Sequence, residues 1–474
     1  MKKPTESLKY IIEILTPIHV GSGRELSSKY DYYLENGKVH VVNMESVIEA
    51  LEGNDAAIKE FGREDFAIRK FLHDYSIKSD GYLLSWQNVK TESPAKNAQK
   101  GFPSSARLTW QEQLGKAFKA SVPMEKADNA LGLPRNIHEQ IKTAFGKPYI
   151  PGSSIKGSIR TAILSELISQ NPYLATRNLP RVVETNDRKG KFASSNVIKA
   201  YLGKNPNYDI LRCLHIGDAY FASTDLCCKD VRWFNLQTSD RAGWRDMTTK
   251  KTGENCDVNG VHVEALKAGA NASIDIQWDQ FLLGDSKANK ILEFKEKTGS
   301  FSSVISLADT MNDHAKRRLA DEKLFFDRYK LNQLSLQHEA LEKTISEDLA
   351  EGDFLMQIGW GSGWKGMTGG WMKSDQIEQV RTLYKLGKII QKGEVICPVC
   401  GKKARPDNKS HGYSYCYKCK KSFPANIKEK MFEIFPKTRR IVFENGQPKY
   451  PFGWLKLSAL GQKFGDVFLC CHFL

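Results

Sequence analysis

The chain has 474 residues, 41% apolar and 26% charged, enough for two or three domains with hydrophobic cores. Its 70 Lys and Arg against 55 Asp and Glu give a net charge of +15, which favours a polyanionic partner, nucleic acid before a membrane surface. No apolar run reaches the ~18–20 residues of a membrane span, and the N-terminus MKKPTESLKY lacks a signal-peptide core, so a cytoplasmic protein without membrane contact is expected.

Leu8–Leu15 alternates as a strand, with Tyr10, Ile12 and Ile14 on one face. It runs into TPIHVGSGRELS, where Gly21 and Gly23 flank Ser22 and leave room for another backbone or a ligand. Tyr30–Leu34 and Val39–Val42 form a hairpin across Asn36-Gly37, and Met44–Leu51 a short helix capped by Asn43. Strand, loop, hairpin and helix in this order suit a split β-α-β unit, ferredoxin-like or RRM-like. Residues 91–147 are polar and basic and read as an insertion with helical patches packed beside the first sheet.

Tyr149–Leu167, YIPGSSIKGSIRTAILSEL, reads as a turn opening into a helix. Ser153 or Ser154 can cap it, and Ile155, Ile159, Ile163 and Leu167 make an apolar stripe for a sheet. Lys156 and Arg160 lie one turn apart near the helix N-terminus, so free N–H groups and two cations predict an anion site, read here as one for RNA phosphate. A nucleotide P-loop is excluded because Ser158 and Ile159 stand where its Lys and Ser/Thr belong. The bland alternative is a capped helix with two solvated cations.

Residues 171–208 are polar and loop-rich and read as a linker. Ile210–Phe221 reads as a strand opening a second unit, and 240–259 as a polar loop. Val261–Leu266 and Ala272–Trp278 read as a strand pair across the Lys267–Gly269 turn. Ser303–Leu349 is helical with charged outer faces, and Phe354–Ile358 is a strand ending in IGWGSGWKGMTGGW. There Gly359, Gly361 and Gly363 set Trp360, Trp364 and Lys365 in a loop suited to stacked bases and nearby phosphates, or else to a tight crossover whose indoles close the core. Phe435–Leu457 gives a basic turn, a strand, the Asn445-Gly446 turn and a final strand, with Arg439 and Arg440 opening the hairpin.

Ten cysteines in a reducing compartment point to thiols or metal ligands rather than disulfides. Cys397-x2-Cys400 and Cys416-x2-Cys419, with 15 residues between the pairs, have the spacing of a structural zinc ribbon at 391–424. The lysines around it either touch RNA or keep a small insertion soluble. Cys227-Cys228 and Cys470-Cys471 lack metal spacing and read as buried thiols.

Four pieces (TPIHVGSG, IPGSSIKGSIRTAIL, IGWGSGW, and PKTRRIVF followed by P-x-G-W) together resemble the RAMP superfamily of CRISPR effector proteins. The PKTRR hairpin and the length are most similar to the fifth-subunit family of the type III-A Csm complex. The resemblance implies an α+β chain of two ferredoxin-like/RRM-like domains, here 1–170 and 209–474, with helical insertions and the zinc ribbon as a departure from the family pattern. It also implies a non-catalytic crRNA-binding subunit at the 3′ side of the guide, capping the backbone subunits. Such a subunit supports crRNA maturation, in part through host nucleases, in antiviral defence, with crRNA, target RNA and other Csm subunits as partners. The positions matching the family motifs are His19, Gly21, Ser22 and Gly23; Ser153, Ser154, Lys156 and Arg160; Gly359, Gly361 and Gly363; and Lys437, Arg439 and Arg440. The rival reading is a metal-independent endoribonuclease with His19 as general base and Lys156 or Lys365 as charge stabiliser. His73-Asp74 matches the HD phosphohydrolase dipeptide but has no supporting His/Asp set, and Asp31 and Asp218 sit in no loop resembling that of the target-cleaving subunit.

Overall fold

The computed structural model describes residues 5–35, 38–77, 81, 83–86, 136–178, 195–236, 242–292, 297–384, 388–390, 397, 399–400, 404–406, 413–424, 429–431 and 435–460. The expected insertion up to residue 135, the Asn36-Gly37 turn and Cys470-Cys471 lie outside them. Helix and strand are mixed along the chain, an α+β architecture.

The N-terminal strand, Thr5–Ile14, buries Tyr10, Ile12 and Ile14 as its alternation predicts. It is the middle of a five-stranded antiparallel sheet in the spatial order Phe354–Gln357, Trp454–Ala459, Thr5–Ile14, Asn271–Asp279, Leu214–Ile216. Its register sets Leu8 beside Ile276, Tyr10 beside Ile274 and Ile12 beside Ala272, so matching apolar faces fix the pairing. The central helix, Gly152–Gln170, shares this core, with Ile155, Ile159, Ile163 and Leu167 all buried.

The second sheet has eleven strands around one hub, Leu226–Leu236. The hub pairs with Val261–Leu266, Ala242–Arg245, Thr438–Glu444 and Leu83–Trp86. Buried at nearly every position, it lacks the alternation of a one-sided strand. From Val261–Leu266 the sheet continues through Asn136–Gln140 to Gly21–Ser27.

Several expectations are met locally. Asn43 caps the Met44–Leu51 helix by accepting from the Glu45 amide at 3.0 Å. Tyr32–Glu35 pairs with Lys38–Val41, and Val304–Arg328 and Asn332–Lys343 are helices. His73 projects from the surface of a helix, Ile68–Asp74.

Others are corrected. Val261–Leu266 and Asn271–Asp279 do not pair; the chain passes from one sheet to the other between them, because Asn271–Asp279 finds its apolar complement in the N-terminal strand. The final strand of the C-terminal hairpin is likewise two strands. Gln447–Tyr450 closes on Thr438–Glu444, then Pro451 and Gly453 (φ +95°) redirect Trp454–Ala459 into the five-stranded sheet. Ile210–Phe221 is a 3-10 turn and two short strands, and the expected loop at 240–259 contains paired strands. The expected linker at 171–208 holds helices Pro172–Asn178 and Ser195–Leu202, whose Ala175, Val197 and Leu202 join the main core. Strands from residues 5–14 and from beyond 209 share one sheet.

Candidate nucleic-acid interface

The N-terminal strand delivers His19 to the seam between the two sheets, where Ile18 bridges Leu266. The following segment is pinned by a fully buried amide. Gln140 Oε1 accepts from the Val20 N–H at 2.8 Å, and Gln140 Nε2 donates to the Tyr149 carbonyl at 3.1 Å. The Gln140 N–H donates to Glu264 Oε2 at 3.0 Å, and the same fully buried carboxylate is ion-paired with Lys142. A carboxylate removed from water is tolerated only with such partners. His19 is 3% exposed, and its Nδ1 lies 2.7 Å from the Glu264 carbonyl. Burial pushes the imidazole down to about 4 despite that hydrogen bond. The neutral ring therefore donates through Nδ1 and presents Nε2 toward Gly21.

The glycine loop folds onto this segment. Gly359 (φ +76°) lies so close that a Cβ there would sit 2.5 Å from the His19 carbonyl, to which the Trp360 N–H donates at 2.9 Å. The Trp360 indole meets His19 at 5.9 Å, Trp233 at 5.5 Å and His138 at 6.1 Å between ring centroids. The Arg440 guanidinium lies 4.0 Å from the centre of the Trp360 ring and donates to the Trp360 carbonyl. From the other side Ser158 donates to the Gln357 carbonyl at 3.1 Å and Thr161 to that of Met367 at 3.0 Å, stitching the central helix to the loop.

All four sequence motifs thus reach one cleft of about 800 Å³. His19, Gly21 and Gly23 line one wall, Ser154 and Ser158 another, Gly359 and Trp360 the floor, and Arg440 closes it. Arg440 pairs with no carboxylate among the described residues, and burial holds it below the usual arginine range. A second cavity adjoins the first, sharing Gln357, Ser362 and Arg440, and takes Gly361, Gly363, Trp364, Lys365 and Arg439.

The helix end is different from the sequence expectation. No serine caps it. The Gly152 N–H donates to Asp218 Oδ1 at 2.7 Å, so the chain's own carboxylate fills the predicted anion position. Lys156 donates to the Leu214 carbonyl at 2.7 Å and Arg160 is ion-paired with Asp209, which leaves the two cations turned to the neighbouring loop. Ser153 is exposed outside the cleft lining, and Ser22 donates to Glu139 at 3.0 Å. Arg439 turns inward to Glu322, over the Phe325 ring. Burial raises that carboxyl, but Arg439 and Arg318 outweigh it and leave Glu322 at about 2. Lys365 pairs with Asp321 at 2.7 Å, and Lys437 precedes the basic strand with its carbonyl accepting from Leu236. Sequence reasoning missed Gln140, Lys142, Glu264, Trp233 and His138. A glutamate inside the apolar run VHVEAL was the one legible sign of that clamp.

Cys397, Cys400, Cys416 and Cys419 bring four sulfurs within 4.8 Å of one another, an arrangement that could hold a metal ion. Cys397 and Cys419 are 3.9 Å apart and Cys400 and Cys416 3.5 Å, close to the ~3.8 Å edge of a tetrahedron with 2.3 Å metal–sulfur bonds. The Val399 N–H points at Cys397 Sγ, 3.4 Å away, as in a knuckle. A three-stranded sheet, Arg405–Pro406, Tyr413–Cys416 and Lys421–Pro424, frames the cluster. Lys388–Ile390 pairs with Glu429–Met431 and brings the two ends of the segment together.

A model of the RAMP superfamily matches residues 11–365. The chain belongs to the RAMP superfamily. This RAMP protein is similar to the CRISPR system protein Csm5 of Streptococcus thermophilus, 24% identical over 188 residues, 39% of this chain and 46% of the relative. It is also similar to Csm5 of Methanocaldococcus jannaschii, 26% identical over 208 residues, 44% of this chain and 41% of the relative. These alignments span less than half the length of the curated relatives. A chain in the cryo-EM structure of a type III-A Csm–crRNA–target RNA ternary complex superposes with a TM-score of 0.56, covering 96% of this chain and 100% of that one. At 18% identity that likeness shows the shared fold. Among the described residues, no helix of this RAMP protein is long and apolar enough to cross a membrane.

Proposed function

We propose that the chain is a non-catalytic, crRNA-binding subunit of a type III-A CRISPR effector complex. It holds the guide at its 3′ side, with other Csm subunits and target RNA as neighbours, and supports crRNA maturation in antiviral defence. One observation carries the reading: four segments far apart in sequence converge on a single cleft, where Arg440 lies over Trp360 without a carboxylate partner among the described residues. A guanidinium backed by an indole suits a phosphate beside a stacked base. The names of the Csm5 relatives and the shared fold with a chain of a Csm–crRNA complex support it. Two RRM-like units with a zinc ribbon inserted in the second remain part of the proposal, and the cysteine geometry supports structural zinc.

Fluorescence anisotropy with repeat-derived single-stranded RNA, in EDTA, tests the reading. Wild type binds without cutting. Arg440→Ala weakens binding to all sequences alike and lowers the salt slope by about 1. Unchanged affinity in that variant overturns the assignment of the cleft. The nuclease alternative makes His19 a general base. Its burial and its bond to the Glu264 carbonyl support a positioning role instead, and cleavage abolished by His19→Gln would establish the enzyme.

A further inference from the structure

The cavity beyond the Trp360–Arg440 wall has a composition that the strand-binding reading does not require. It encloses about 460 Å³, inside the range of small-ligand sites, about 300–1,000 Å³. Four arginines line it, Arg245, Arg318, Arg439 and Arg440, against a single carboxylate among the described residues, Glu322. Arg439 occupies Glu322 through its Nε, and the Nη1 of Arg318 stays 3.7 Å from the same group.

Arg318 is 6% exposed, yet among the described residues its Nε and Nη1 have no hydrogen-bond partner, while Nη2 donates to Gln357 at 3.2 Å. The buried Nε of Arg245 also lacks a partner, and among the described residues neither Arg245 nor Arg440 is paired with a carboxylate. Unsatisfied guanidinium N–H groups in a desolvated wall are costly, and the complement they lack is an anion with several acceptor oxygens. Phosphate meets that geometry through paired N–H groups. The wall also carries the rings of Trp233, Trp364 and Phe452. A bare anion has no use for these surfaces, but a nucleobase stacks on them.

We propose that this cavity binds one nucleoside monophosphate unit, its phosphate on Arg318, Arg245 and Arg440 and its base against the indoles. The unit comes either free from solution or as a nucleotide turned out of a strand in the adjoining cleft. Only the second source rests on the RNA reading above.

Calorimetric titration of the full chain with adenosine monophosphate, adenosine and inorganic phosphate tests the site. The monophosphate gives saturable one-site binding, and each fragment alone binds roughly tenfold or more weakly. Arg245→Ala and Trp364→Ala each weaken the monophosphate roughly tenfold with the circular dichroism spectrum unchanged, and Arg245→Lys restores part of the loss. Absence of saturable binding, or affinity that neither alanine variant alters, overturns the proposal. Competition with single-stranded RNA separates the sources: displacement of the monophosphate assigns the site to a strand nucleotide, and retention to the free nucleotide. If the monophosphate binds while RNA fails to bind at all, the cavity stands and the RNA reading falls.

Discussion

The cleft joins Val20 to Gln140 across 120 positions and Gln140 to Glu264 across 124, whereas the cysteine cluster closes between residues only 22 apart. The cleft is held by buried polar partners brought together from distant parts of the chain. The cluster has short strands and a sulfur set that suits a metal. Burial therefore organises one region, while the other carries a sulfur set that could be organised by a metal, so each should fail under a different perturbation.

Metal removal should separate them most sharply. A chelator strong enough to strip a four-thiolate site, or Cys416→Ser, should unfold the cysteine segment, with the loss of metal-coupled folding energy on the order of 10 kcal/mol. Limited proteolysis would then cut within 391–424 while the core midpoint stays in place; a simultaneous loss of both would refute the independence. Glu264→Ala should do the reverse. It leaves Lys142 and the Gln140 N–H without their buried acceptor, costing ~3–5 kcal/mol by urea unfolding, with bound metal unchanged.

Acid should also act on the cleft first. The His19 imidazole falls from 6.5 to about 4 on burial, so it is neutral in both states above pH 6.5. Below 6.5 the unfolded chain takes up a proton that the folded chain refuses, and stability drops as pH falls toward 4, by ~3 kcal/mol for this residue. Burial lowers His262, His314 and His338 in the same direction. His19→Gln should therefore remove about one proton from a slope that several histidines share. An unchanged slope would show that the ring is solvated. The smallest effect belongs to the helix end. Lys156→Ala with Arg160→Ala should cost ~1 kcal/mol of stability and leave RNA affinity intact, because both side chains are engaged inside the chain. A large loss of RNA affinity would return the interface to that helix.

What was legible in the residues themselves was local. The alternation of Tyr10, Ile12 and Ile14, the Asn43 cap, the helices after Ser303 and the Cys-x2-Cys pairs each depend on neighbours a few positions away. Close approach was legible as a property of the motif glycines but not its position: a Cβ at Gly23 would meet nothing within 4 Å, and the tight backbone contact falls at Gly359, against the His19 carbonyl. Charge was less legible. Lys156, Arg160, Lys365 and Arg439 read alike as available cations, but each has a partner in the fold.

The sequence by itself determined a basic chain of mixed strands and helices with a four-cysteine motif, because periodicity, turn chemistry and ligand spacing act over short stretches; the likeness to the RAMP superfamily rested on four matching motifs. Only the tertiary structure decided which sheet each strand enters, which cations are already neutralised, and that Arg440 over Trp360 has no acid beside it among the described residues. Those outcomes depend on burial and on partners more than a hundred residues away, where the strength of a charge is set by what surrounds it.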